Sequence, residues 1–122
     1  MAEPDGIDRA GLDALFETTG GDPAFLAELI DTYLSDAVEQ LAAMREAIAV
    51  ASAEELRRAA HSLKANSASF GARRLASLCR ELEQQASNGA LEGAPGRLAH
   101  IETAYAAVEH ELRALRPGGV GP

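Results

Sequence analysis

Of the three histidines in the chain, His61 is the one whose neighbours suggest chemistry. An imidazole reacts through one ring nitrogen when the other is held, and it changes charge near neutrality, so it suits nucleophilic or proton-transfer work. Lys64 follows three residues later, one turn along the same helical face, and brings a positive charge beside the ring. Positions 65 and 68 are alanines, so the approach to the ring stays clear. An accessible imidazole, a neighbouring ammonium group and no bulky side chain make a place where a phosphoryl group can be attached and its charge met. His100 and His110 lie off the apolar stripe of the last helical segment and read as solvated or packed side chains.

The elements that must position these groups are helices. The chain has 122 residues, of which 26 are alanine, with three Phe, two Tyr and no Trp. Alanine is the strongest helix former and strands favour the residues that are scarce here, so the expected fold class is all-α. Asp8 can cap a short first helix bearing Leu12, Leu15 and Phe16, ended by Gly20-Gly21. Asp22 before Pro23 is an N-cap with proline at the first helical position, and opens a long second helix to about Val50. Its stripe is Leu26, Ile30, Tyr33, Ala37, Leu41, Met44 and Ile48. Ser52 with Glu55 forms a capping box for a third helix, with a core stripe of Leu56, Ala60, Leu63, Ser67 and Phe70, and Gly71 lets the chain reverse. The fourth helix carries Leu75, Leu78, Cys79, Leu82 and Ala86 up to Asn88-Gly89. After a break at Gly93-Ala94-Pro95-Gly96, the fifth shows Leu98, Ile101, Tyr105, Val108, Leu112 and Leu115 in heptad spacing. Four long helices with short connections pack as an antiparallel up-down four-helix bundle, with the short N-terminal helix across one end. Residues 1–116 make one domain; residues 117–122 (PGGVGP) read as a flexible C-terminal tail.

That hairpin geometry supplies a third chemical group. An antiparallel register about Phe70-Gly71 puts residues whose numbers sum to about 142–144 level with each other, so His61 faces Leu82 or Glu83. Leu82 belongs to the core stripe, whereas Glu83 lies at its edge. A carboxylate accepting the Nδ1–H would fix the tautomer and leave Nε2 as the nucleophile.

With these residues in view, the string AAHSLKANSASFGARRLASLCRELE, residues 59–83, resembles the histidine-containing phosphotransfer (HPt) family of phosphorelays. GGDPAFLAELIDTYLSDAVEQL in the second helix is similar to the same family. The resemblance implies a bundle whose exposed His61 receives a phosphoryl group from a receiver-domain aspartate, or from a sensor or hybrid histidine kinase, and passes it to another response-regulator receiver. It further implies that Lys64 meets the phosphoryl oxygens and that Glu83 holds the imidazole. The partner receiver would bring the acidic pocket and Mg²⁺, and this chain would need no cofactor or metal of its own. Many members have glycine directly after the lysine, where this chain has Ala65.

Charge patterning adds a docking expectation. The formal charge is −8, yet residues 56–80 hold six basic residues (Arg57, Arg58, Lys64, Arg73, Arg74 and Arg80) and no acidic one, leaving the other 97 residues at −14. Docking is expected on the second and third helices near His61, with Arg57, Arg58, Ala65, Ala68 and Arg80 at the partner surface, where the basic residues attract an acidic receiver cleft. An acidic chain poor in aromatic residues is not a nucleic-acid binder. No run of about 18–20 apolar residues spans a membrane and no signal peptide opens the chain, so a soluble, cytoplasmic protein is expected. The single cysteine, Cys79, reads as a packed side chain, and three scattered histidines leave no zinc-site spacing. There is no GxxxxGK[ST] loop, so autokinase activity is not expected. The alternative function is a non-relaying interaction or inhibitory module of the same fold. A general-base enzyme would need a second catalytic group and a pocket.

Overall fold

The computed structural model describes residues 6, 7 and 9–116, which form five helices and no strand: α1 (Arg9–Thr18), α2 (Pro23–Ala49), α3 (Ala53–Ser69), α4 (Arg73–Ser87) and α5 (Ala94–Leu115). The proposed Asp8 cap and the tail at 117–122 lie outside the described residues. At the start of α2 the Asp22 carboxylate accepts from the backbone N–H of Ala24 at 3.0 Å, and Pro23 occupies the first turn, where its missing N–H costs nothing. At α3 only half of the expected capping box forms. Ser52 Oγ accepts the Glu55 N–H at 3.2 Å, but the Ser52 N–H points back to the Ala47 carbonyl at 2.8 Å.

That second bond belongs to a helix-ending device that recurs along the chain. At the end of α3, Gly71 N–H donates to Ala68 O at 3.1 Å and Ala72 N–H to Ser67 O at 3.0 Å, which is the paired closure of a Schellman motif and needs a left-handed residue after the cap. Gly71 supplies it with φ +73°. The same closure ends α2 with Ala51 in the left-handed position, at φ 55°, despite its Cβ. Gly71 has a second duty. A Cβ built on Gly11 of α1 would lie 2.8 Å from the Gly71 Cα, so α1 crosses the α3–α4 turn in backbone contact.

The helices close a ring in which α3 packs on α2 and α4, and α5 packs on α4 and α2. Ile30, Met44, Leu56, Leu63, Leu75, Cys79, Leu82, Ile101, Val108 and Leu112 are fully buried at its centre. Ser67 is buried among them, and its hydroxyl meets that of Tyr33 at 2.8 Å, so both polar atoms are satisfied. The predicted stripes hold with departures. Ile48, Leu78, Leu15 and Phe16 are half-buried, and Leu115 is 37% exposed where it lines a cleft with Leu12, Phe16, Leu26 and Ile30. α5 also starts inside the expected break, with Pro95 in its first turn and Gly93 left-handed before it. No described helix is long and apolar enough to cross a membrane.

Candidate functional site

α3 and α4 bring His61, Lys64 and Glu83 together. The buried stripe Leu56, Ala60, Leu63 and Ser67 fixes how α3 is rotated, and His61, one step past Ala60, is turned to the edge nearest α4. On α4 the fully buried Leu82 anchors its neighbour Glu83 at the matching edge. The Glu83 carboxylate then bridges the other two side chains. Oε2 accepts from His61 Nδ1 at 2.7 Å and Oε1 accepts from Lys64 Nζ at 2.6 Å. Of the two rungs allowed by the hairpin, His61 therefore takes the one summing to 144.

Exposure is graded across the trio: the side chains are 56% accessible for His61, 28% for Lys64 and 15% for Glu83. The carboxylate is the sheltered member and the imidazole the open one. Burial alone would raise the Glu83 pKa, but hydrogen bonds and charge from Lys64 and His61 outweigh it and hold the carboxyl below its ordinary range. An ionised Glu83 accepts a hydrogen bond from Nδ1–H, which leaves Nε2 facing solvent and without a protein partner among the described residues. Cys79, one turn before Glu83, is enclosed, and burial pushes its thiol up to about 12.

The residues expected at the partner surface are placed as follows. Ala65 and Ala68 are exposed on α3, and Arg58 and Arg80 are exposed while Arg57 is half-buried. The basic island is partly cancelled in space. Arg57 binds Glu54 through two nitrogens at 3.1 and 2.7 Å, and Arg58 lies 3.5 Å from Glu54 and 3.8 Å from Glu55. These acidic residues sit just ahead of the basic stretch in sequence but one turn away on the same helix. On the α4 side of the trio, a cleft of about 490 Å³ opens between Lys64, Arg80, Glu83, Gln84, Ser87 and Asn88. Gln84, Ser87 and Asn88 carry no sequence signal beyond their helical spacing from Arg80. Among the described residues no group of three or more His, Cys, Asp or Glu side chains could hold a metal ion.

With this geometry established, comparison with known proteins decides the lineage. The Hpt domain model matches residues 28–115. The chain belongs to the Hpt domain family. The Hpt fold extends further than that match: the crystal structure of histidine-containing phosphotransfer protein B (HptB) from Pseudomonas aeruginosa PAO1 superposes with a TM-score of 0.84 at 33% identity. The superposition covers 94% of this chain and 96% of that one. No curated protein sequence matches the chain.

Proposed function

We propose that His61 is the phosphoryl carrier of this Hpt domain, taking the group on Nε2 from a receiver aspartate, or from a histidine kinase, and delivering it to another receiver. Family membership gives the chain a histidine phosphotransfer role in a two-component phosphorelay. The observation that carries the assignment to His61 is the bridging Glu83 carboxylate, which occupies Nδ1 and leaves Nε2 unpartnered at the surface. His100 and His110 have no comparable arrangement of partners.

Phosphoryl transfer proceeds through a loose transition state, so the work required of the protein is in-line positioning and charge compensation. In the proposed step the Nε2 lone pair forms the N–P bond as the P–O bond to the aspartyl carboxylate breaks, and that carboxylate leaves with the bonding electrons. Glu83 keeps the Nδ1 proton in place throughout. Lys64, already within reach of Glu83, meets the equatorial phosphoryl oxygens as a point charge. Mg²⁺ is supplied by the receiver, and ATP alone does not label the chain. The docking surface is the α2–α3 side of the site, where Ala65 and Ala68 leave room for a partner and a groove of about 160 Å³ runs between Thr32 and Asp36 of α2 and Asn66 and Ser69 of α3. The setting is cytoplasmic.

The test is incubation of the full chain with a panel of phosphorylated receivers, followed by mapping of the label. The expected outcome is an acid-labile label on His61 with at least one receiver, absent from His61→Gln. A chain that binds receivers but takes no label would instead be a non-relaying module of the same fold.

A further inference from the structure

Phosphorylation of His61 alters the charge of its surroundings, and the resting arrangement leaves that change unmet. The inference rests on the function proposed above. At rest the Glu83 carboxylate is shared between the His61 imidazole and the Lys64 ammonium group. The transferred PO₃⁻ unit adds one negative charge while the Nδ1 proton stays in place. As Lys64 turns toward the phosphoryl oxygens, Glu83 Oε1 loses its cation and faces the new charge across one imidazole ring.

We propose that Arg80 is a reserve cation that closes on Glu83 when Lys64 moves to the phosphoryl group. Arg80 lies three residues before Glu83 on α4, a spacing at which opposite charges meet on a helix face. The rung that pairs His61 with Glu83 also sets Arg80 level with Lys64 across the hairpin. Arg80, Lys64 and Glu83 line the same open cleft, so the exchange needs only side-chain rotation. Arg80 is exposed and makes no ion pair among the described residues, whereas Arg57 and Arg58 are held by Glu54 and Glu55, and the Arg97 guanidinium lies 3.9 Å from Glu81. Arg80 is then a positioning residue. It keeps Glu83 ionised, and so keeps the Nδ1 proton held, while the phosphoryl group is in residence.

The experiment labels the full chain with phosphoramidate, which transfers its phosphoryl group to imidazole nitrogen with loss of ammonia, and compares the parent with Arg80→Gln and Arg80→Lys. Carbon NMR of the Glu83 carboxyl is recorded at neutral pH, where the acid-labile label persists, with and without the label. In the unlabelled chains the Glu83 carboxyl resonance should coincide in all three. In the labelled chains it should shift away from the parent in Arg80→Gln and stay near the parent in Arg80→Lys. At equilibrium with whichever receiver labels the parent, the phosphorylated fraction of Arg80→Gln should fall about two- to fivefold, the scale of one partly exposed ion pair. Labelled parent and labelled Arg80→Gln with the same Glu83 carboxyl resonance would overturn the inference. So would an Arg80→Gln effect confined to the salt dependence of receiver encounter, which would make Arg80 a docking contact. A parent that takes no label on His61 overturns the function reading itself, and is recognised before any variant is made.

Discussion

Replacing Glu83 by Gln keeps the side chain's shape and one acceptor oxygen but removes the charge shared by His61 and Lys64. In the parent Nδ1 and Nζ each have their own carboxylate oxygen; in the amide one of those oxygens becomes an N–H₂ that faces a donor. His61 and Lys64 are 56% and 28% accessible, so both can turn to water, and neither is left buried and unsatisfied. The loss is therefore that of a partly sheltered charged hydrogen-bond pair, about 1 kcal/mol, at the upper end of surface ion pairs and well below a buried one. In urea, where unfolding slopes are about 1–3 kcal/mol/M, the midpoint at neutral pH should fall by about 0.5 M. The pH dependence carries the sharper test. Because the folded Glu83 carboxyl titrates below its unfolded value, its contribution is fully present above the ordinary carboxylate range and fades as pH falls through the folded pKa. The midpoints of parent and Glu83→Gln should thus converge in acid and separate toward neutrality. The assay is urea unfolding followed by circular dichroism from neutral pH down to the acid limit of folding. A gap that is constant with pH, or that widens in acid, would refute the placement of an ionised Glu83 between His61 and Lys64.

Three further outcomes follow from particular residues. Lys64→Ala removes the cation and strips Glu83 Oε1 of its partner, so the transfer rate at saturating receiver should drop about ten- to a hundredfold; Arg58→Ala should change mainly the salt dependence of association, and only modestly since Glu54 and Glu55 already offset that charge. Equal losses of saturated rate in both would misplace the phosphoryl group. Ala51→Gly should raise the urea midpoint by an amount corresponding to about 0.5–1 kcal/mol, because glycine relieves the left-handed strain at φ 55° at the end of α2; a lower midpoint would argue against it. Cys79, enclosed and with its thiol pushed up to about 12, should react with a thiol reagent at neutral pH only as fast as the bundle unfolds, and rapid labelling of native protein would contradict its packing.

Much of this arrangement is legible in the chain because helices convert spacing into direction. The stripe from Leu56 to Phe70 sets the rotation of α3, the turn at Gly71 sets the register, and together they deliver Glu83 to His61 before any coordinate is known. What escapes is set by contacts between elements or by energetic compensation. The Tyr33–Ser67 hydrogen bond joins residues 34 apart on different helices, and Ser67 alone in a core stripe does not name its partner. Ala51 carries no mark of a left-handed residue, since the chain places an L side chain where three other helix ends use glycine, and the closing hydrogen bonds of α2 outweigh the strain. Leu115 continues the heptad pattern but borders a cleft with Leu12, Phe16, Leu26 and Ile30 that leaves it 37% exposed, and an open cleft between helices has no mark in the spacing. The basic stretch is less positive in space than along the chain because Glu54 and Glu55 fall outside residues 56–80 in sequence while lying one helical turn from Arg57 and Arg58.

A carrier that must serve more than one partner needs its reactive atom fixed by its own fold rather than by whichever protein docks. His61 stands between Ala60 and Leu63, and Glu83 follows Leu82; all three of those apolar side chains are fully buried. Moving the backbone that carries the imidazole relative to the one that carries the carboxylate would require sliding α3 along α4, which would slip close-packed leucines out of register and open cavities costing several kcal/mol. Lys64 is the mobile member by comparison, held through a single ammonium contact on a flexible stem. The division follows from the chemistry. In the proposed transfer, the atom that would form the bond and the oxygen that would fix its tautomer stand on packed helices, and the charge that would follow the phosphoryl group sits on a side chain able to move with it. A design with the lysine locked in a buried pair would favour one charge state of the histidine over the other, whereas a carrier that both takes and gives up the group needs the two states close in energy.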